Sequence, residues 1–227
     1  MNNYTILAII PARSGSKGLP GKNIMDYKGK PMLAWSIEHA KNSKYNIRTI
    51  VSTDSKEYAD IANKYNAETP FLRPPEISGD NASDFECIKH CIDYLRNNEG
   101  YIPDIILHLR PTQPERKVTD IDKCLDLFIE KFENYDSLRS VIPVEKSPYK
   151  MYTVSDNNLN PLFKKYNDLN EPFNQARQLL PQCYLHNGYI DIIKTSILDN
   201  NTISGNNILP YVMRPSDNVD IDHLKDL

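Results

Sequence analysis

Apolar positions in the first half of the chain alternate between two periods. Thr5–Ile10, Arg48–Ser52 and Asp104–Leu109 are short apolar runs that read as buried strands, with Pro11 closing the first. Helical spacing fills the gaps between them. Pro31–Asn42 carries Met32, Leu33, Trp35, Ile37 and Ala40, and Ser55–Tyr65 sets Tyr58, Ile61 and Ala62 on one face. Asp84–Asn97 repeats Phe85, Ile88, Cys91, Ile92 and Leu95 at three and four, and Val118–Phe132 predicts a helix entered through Thr119 and Asp120. This rhythm predicts an α/β fold, a Rossmann-like, mostly parallel sheet flanked by helices on both faces.

The rhythm changes after Ser140–Val144. Lys146–Pro181 is rich in Asn, Pro and Tyr without a sustained period, and Tyr184–Ile193 and Ile208–Met213 read as returning strands. The expected organisation is one α/β body from 1–144 and 182–227, interrupted by an excursion over 145–181. Ligands of such sheets bind beyond the carboxyl ends of the strands, so the loops at Arg13, Thr53-Asp54 and Arg110 are expected to meet.

Composition narrows the classes. At 227 residues and a formal net charge of −3, the chain fits one large domain or one domain with a sizeable insertion, and it carries no general electrostatic pull toward nucleic acid. Its start has no charged n-region and its first apolar run stops at Pro11, so neither a signal peptide nor a membrane span is expected. The four cysteines, Cys87, Cys91, Cys124 and Cys183, form no C-x-x-C pair and fit a reducing, cytoplasmic compartment.

Candidate chemistry begins where the first strand ends. The stretch IPARSGSKGLPGKN sets Gly15, Gly18 and Gly21 among Arg13, Lys17 and Lys22, a glycine-rich cationic turn suited to phosphate. It is not a P-loop, because five residues rather than four separate Gly15 from Gly21 and Asn23 follows the lysine. The dinucleotide spacing G-x-G-x-x-G is also absent. RPTQPER, from Arg110 to Arg116, reads as either a rigid surface turn or a strand-end binding loop. RQLLPQCYLHNG, from Arg177 to Gly188, gathers side chains suited to hydroxyl and carboxylate recognition. In an extended Val219-Asp-Ile-Asp222, Asp220 and Asp222 would share one face at roughly 7 Å. That pair is either a solvated acidic tail or an oxygen-ligand site for magnesium. His39, His90 and His108 read as packing or surface residues, and no histidine is an obvious general base.

Taken together, IPARSGSKGLPGKN, STD at Ser52–Asp54, Arg73-Pro74, RPTQPER, RQLLPQCYLHNG and DID resemble the acylneuraminate cytidylyltransferases across nearly the whole chain. Those enzymes activate sialic and related nonulosonic acids, legionaminic- and pseudaminic-like acids among them, as CMP-sugars. The resemblance implies a nucleotidyltransferase fold of GT-A type with a small dimerisation arm, hence a homodimer, with CTP and an acidic sugar as substrates and Mg2+ as cofactor. It implies that Arg13, Lys17 and Lys22 hold the triphosphate, with Ala12, Ser14, Gly15 and Asn23 around the nucleotide. Arg73 and Ser83 would fix ribose and cytosine, and Asp220 and Asp222 would ligate magnesium, Asp222 also counting as catalytic. Arg110, Thr112, Arg177, Gln178, Tyr184 and Asn187 would face the sugar, with Lys150 reaching from the arm. One departure stands out. The family has Gln where this chain has Arg110, which exchanges an amide for a fixed charge with five donors and puts the exact sugar acid in doubt. The implied reaction is attack of the anomeric hydroxyl on the α-phosphorus of CTP with loss of pyrophosphate. A cytidylyltransferase for the eight-carbon acid of lipopolysaccharide, and a non-catalytic nucleotide-binding protein, are the alternatives. Exchange of Arg110 for Gln is expected to shift preference toward N-acetylneuraminate.

Overall fold

The computed structural model describes residues 4–15, 19–217 and 219–221. Its centre is a six-stranded sheet in the order β12-β6-β11-β5-β1-β4. The strands are β1 (Ile6–Pro11), β4 (Ile47–Ser52), β5 (Ile105–His108), β6 (Ser137–Pro143), β11 (Tyr184–Lys194) and β12 (Ile208–Val212). A small ribbon, β2 (Asp26–Tyr27) with β3 (Lys30–Pro31), follows the first loop. β1 pairs in parallel with β4 and β5, and β12 with β6, while β11 runs antiparallel to both β5 and β6. The sheet is therefore mostly parallel, with one reversed strand wedged inside it. Nothing in the apolar pattern of Tyr184–Ile193 encodes that reversal, because a doubly covered strand looks alike in either direction.

Alternation along β1 builds two cores. Ile6, Ala8 and Ile10 face α1 (Met32–Lys41), α2 (Lys56–Lys64) and α4 (Val118–Glu130), meeting Leu33, Ile37, Ala62, Leu125 and Phe128. Leu7 and Ile9 point the other way, toward Ile88, Cys91, Ile92 and Leu95 of α3 (Asp84–Glu99). The helices thus bury most of their apolar positions, with Trp35, Ile61 and Phe85 half-buried at the edges. α3 starts on a capping box, in which Ser83 Oγ accepts from the Glu86 N–H and the Glu86 carboxylate accepts from the Ser83 N–H. The entry to α4 differs from expectation. The helix begins at Val118 after Lys117 with no side-chain cap, and Asp120 instead accepts the hydroxyls of Tyr189 at 3.2 Å and Tyr211 at 3.3 Å.

Between β6 and β11 the chain leaves the sheet as two hairpins, β7 (Tyr152–Ser155) with β8 (Asn158–Pro161), and β9 (Lys165–Tyr166) with β10 (Leu169–Asn170). Asp156 and Asn157 turn the first with φ of 50° and 61°, the double positive φ of a tight hairpin. Tyr149 ties the excursion together through a tilted contact with Phe163 and an edge-on contact with Tyr166, at 4.7 and 4.9 Å between ring centroids. Outside it remains apolar: Val154 is 75% exposed and Leu159 63%. Among the described residues no helix is long and apolar enough to cross a membrane.

Candidate active site

The carboxyl ends of β1, β4 and β5 open onto one rim. Ala12 N–H continues the β1 ladder onto Ser52 O at 2.9 Å, and Ser14 then fastens to Asp54 twice, N–H to Oδ1 at 2.8 Å and Oγ to Oδ2 at 2.7 Å. Arg13 Nη1 reaches Gly79 O at 2.6 Å and Asp80 Oδ1 at 3.1 Å. The loop turns back at Gly21, whose φ of 72° favours glycine, and the buried Asn23 holds the turn by donating to Arg13 O at 3.0 Å. Beside it lies a cleft of about 550 Å³ lined by Asp54, Leu72, Arg73, Pro74, Pro75, Ser78 and Gly79. Lys17 and Asp222 lie outside the described residues.

Two expected nucleotide ligands have structural employment. The Arg73 guanidinium is buried and donates to Ser52 Oγ at 3.1 Å and to Ser52 O, so it braces the end of β4 and the cleft wall. Ser83 Oγ is engaged in the α3 cap. A strand-end carbonyl gives this buried arginine an internal partner.

The RPTQPER loop is locked from beneath. Arg116, almost fully buried, donates to Tyr189 O, to Ser36 Oγ at 3.1 Å and to Arg110 O at 2.9 Å; burial pulls its pKa down to about 9, which leaves it charged at neutral pH. Gln113 Nε2 donates to Asn187 O at 3.0 Å. Thr112 O accepts the N–H of the buried Ile221 at 2.9 Å, which brings the exposed Asp220 to this loop. Asn187, which the resemblance sets facing the sugar, has internal partners in the fold. It is buried, with Oδ1 taking the Ser140 hydroxyl at 2.7 Å and Nδ2 at 3.4 Å from Met213 Sδ, so it anchors the irregular stretch of β11.

Arg110 itself turns inward to carboxylates. Nη2 meets Asp84 Oδ2 at 2.6 Å and Nη1 meets Asp191 Oδ2 at 2.7 Å. Burial would raise the Asp191 pKa, yet the nearby His108, the hydrogen bond with His186 and the charges of Arg139 and Arg110 outweigh it and hold it well below the carboxylate range. The remaining predicted sugar ligands lie apart from this cluster. Arg177 and Gln178 line a cleft of about 400 Å³ with Val144, Glu145, Gln182 and Cys183. Lys150 Nζ donates to Gln175 O at 2.7 Å within the excursion, and Tyr184 is exposed on β11. Among the described residues no three carboxylate, histidine or cysteine side chains gather into a metal cage.

With these elements in place, the sequence comparisons are decisive. The cytidylyltransferase family model matches residues 7–189. The chain belongs to that family. An N-acylneuraminate cytidylyltransferase of Escherichia coli O18:K1:H7 is 35% identical over 226 residues, covering 97% of this chain but 50% of that protein, so the chain spans half its length. A CMP-N,N'-diacetyllegionaminic acid synthase of Campylobacter jejuni is 33% identical over 220 residues, covering 96% of this chain and 89% of that one. Among solved structures, a CMP:2-keto-3-deoxy-manno-octonic acid synthetase complexed with CTP aligns with a TM-score of 0.67 at 18% identity, covering 96% of this chain and 93% of the other. That last likeness is one of fold.

The sequence marks Asp54 only as part of a strand-end loop, and it does not single out Asp84, Asp191 or Arg139. Asp191 carried a legible signal. It is the only charge in the run Gly188–Ile193, and a charge in a doubly covered strand requires a buried partner.

Proposed function

We propose that the chain transfers CMP from CTP to the anomeric hydroxyl of a nonulosonic acid of the sialic, legionaminic or pseudaminic type, releasing pyrophosphate. The observation that carries this reading is the shared rim. The glycine-rich cationic turn, the cleft beside Asp54 and the Arg110–Arg116 loop with Asp220 tied to it all lie at the carboxyl ends of neighbouring parallel strands. The 79–84 segment joins the two halves, since Gly79 and Asp80 hold Arg13 and Asp84 holds Arg110.

In this reading Arg13, Lys17 and Lys22 neutralise the triphosphate and the charge that grows on departing pyrophosphate, with Ala12, Ser14, Gly15 and Asn23 shaping the turn. Asp54 is added as the residue that fixes Ser14. Arg73 and Ser83 act through the cleft wall and the start of α3. Catalysis rests on alignment of the hydroxyl with the α-phosphorus. Asp220 and Asp222 offer an all-oxygen, anionic donor set, and the exposed Asp220 fits magnesium, which would supply charge neutralisation at phosphate oxygens. Arg177, Gln178, Tyr184 and Lys150 belong to the excursion or its base, where a second copy of the chain would bring them to a sugar. The exposed apolar residues of the first hairpin support a homodimer through this arm. Four unpaired cysteines support a reducing, cytoplasmic setting.

The test is pyrophosphate release from CTP and Mg2+ with a panel of eight- and nine-carbon sugar acids. Release with a nine-carbon acid is expected. Release with the eight-carbon acid alone would favour the lipopolysaccharide-type alternative, and release with none would refute the enzyme reading.

A further inference from the structure

A balanced charge cluster sits at the carboxyl end of β5. Asp191 is fully buried; its Oδ2 accepts from Arg110 Nη1 at 2.7 Å and lies 2.8 Å from Arg139 Nη1, while Oδ1 lies 2.7 Å from His186 Nε2. Asp84 takes the other terminal nitrogen of Arg110 at 2.6 Å. His108 lies below, fully buried, 3.6 Å from Asp191 and 3.9 Å from Asp84, beyond hydrogen-bond length. Two guanidinium groups thus face two carboxylates. Gly188 closes one side: its φ is +64°, and a Cβ there would come within 3.0 Å of Arg110 Nη1. Arg110 is clamped, with 24% of its side chain exposed.

This arrangement bears on what Arg110 can recognise. A guanidinium carries five N–H donors, and bonds to Asp84 and Asp191 leave others available while matching its charge. A third carboxylate brought to it would meet Asp84 and Asp191 at short range, and like charges at such a distance repel strongly. A neutral oxygen acceptor meets no such repulsion. Relatives of this chain are named for N-acyl and N,N'-diacetyl sugar acids, whose amide carbonyls are acceptors of that kind.

We infer that Arg110 is a specificity-determining residue that donates to the carbonyl of an acylamino substituent of the sugar, and not to its carboxylate, with Asp84 and Asp191 as positioning residues that hold it for this role. The inference rests on the nonulosonic-acid reading above and deepens it.

The experiment is a cycle of protein and substrate changes. Wild type and Arg110→Met, which keeps the stem and removes the donors, are assayed with the acylated sugar acid, its deacylated amine and its carboxamide at the acid position. Inhibition constants replace KM for analogues that are not turned over. Arg110→Met is expected to raise the KM of the acylated acid by about 10- to 100-fold, the range of a hydrogen bond to a charged group. The CTP KM is expected to stay within about twofold. The penalty should persist with the carboxamide and vanish with the deacylated analogue. A penalty that vanishes with the carboxamide instead would assign Arg110 to the carboxylate and overturn the inference, as would unchanged constants for every sugar. Asp84→Asn leaves Arg110 in place and serves if Arg110→Met does not fold. It is expected to raise the KM of the acylated acid more than that of the deacylated one, and an equal rise for both would overturn the positioning role. The wild type keeps the two readings apart: no turnover with any acid overturns the reaction and this inference together, whereas wild-type turnover with the wrong penalty pattern overturns the inference alone.

Discussion

The backbone N–H of Ile221 donates to the carbonyl of Thr112 at 2.9 Å, so two segments more than a hundred residues apart meet at one rim. Ile221 is wholly buried while its neighbour Asp220 is exposed, which gives the DID motif an anchor and an outward carboxylate. Asp220→Asn keeps the shape and removes the charge. The magnesium concentration for half-maximal pyrophosphate release is expected to rise by roughly tenfold or more, since even indirect partners of metal ligands cost that much. A magnesium titration matching wild type would remove Asp220 from the metal site.

Asp54 makes a sharper test of the nucleotide half. It binds Ser14 through both oxygens and lines the adjoining cleft. Loss of two hydrogen bonds to a half-exposed carboxylate costs about 1.4 kcal/mol or somewhat more, a factor of roughly ten. Asp54→Ala is therefore expected to raise the CTP KM about tenfold with little effect on the sugar KM. Steady-state kinetics with each substrate varied in turn would expose the opposite pattern. Lys22→Ala, by contrast, is expected to lower kcat by at least about 100-fold with the fold intact, because its proposed role is on charge that develops as pyrophosphate leaves.

Much of this was legible in the chain, and the rest was hidden for identifiable reasons. Apolar runs located β1, β4 and β5 because both faces of the sheet are covered, and spacing of three and four located the long helices because each buries one stripe. Strand direction was not encoded, since Ile190, Ile192 and Ile193 are buried whichever way β11 runs. The loops were found by their residue types, but residue type does not reveal internal employment. Arg73, Ser83 and Asn187 look like ligands, and the fold also gives each an internal partner, at a strand end, a helix start and an irregular strand. Arg110 was singled out as a departure, while its counter-charges Asp84 and Asp191 come from distant elements that only the fold brings together.

The first hairpin of the excursion predicts assembly. Val154 and Leu159 sit opposite one another in the β7–β8 ladder and both face solvent in the isolated chain. Burying a charge in an apolar contact costs several kcal/mol, so Val154→Asp is expected to weaken the proposed dimer by at least about 100-fold. Sedimentation velocity over a concentration series would read it. A variant that sediments as wild type would place the interface elsewhere, and a wild type that is monomeric at all concentrations would dismiss it.

His39 gives the fold a pH dependence separate from that of the carboxylates. It is buried on α1, its Nδ1 has no hydrogen-bond partner, and burial, reinforced by the nearby charges of Arg116 and Lys30 and opposed by Glu115, lowers its pKa to about 3. The folded state thus keeps His39 neutral while the unfolded chain takes up a proton below about pH 6.5. Stability is lost as pH falls through that window, at up to one proton per molecule, or about 2 kcal/mol between pH 6.5 and pH 5. Asp191 behaves differently, because its depressed pKa gives stability that is intact above the ordinary carboxylate value near 3.8 and lost only as pH falls below it toward the folded value. Urea unfolding of wild type and His39→Gln at pH 7, 6 and 5 separates the two. The wild type should weaken across this range and the variant should be flatter by that amount; parallel slopes would mean that His39 is not held neutral.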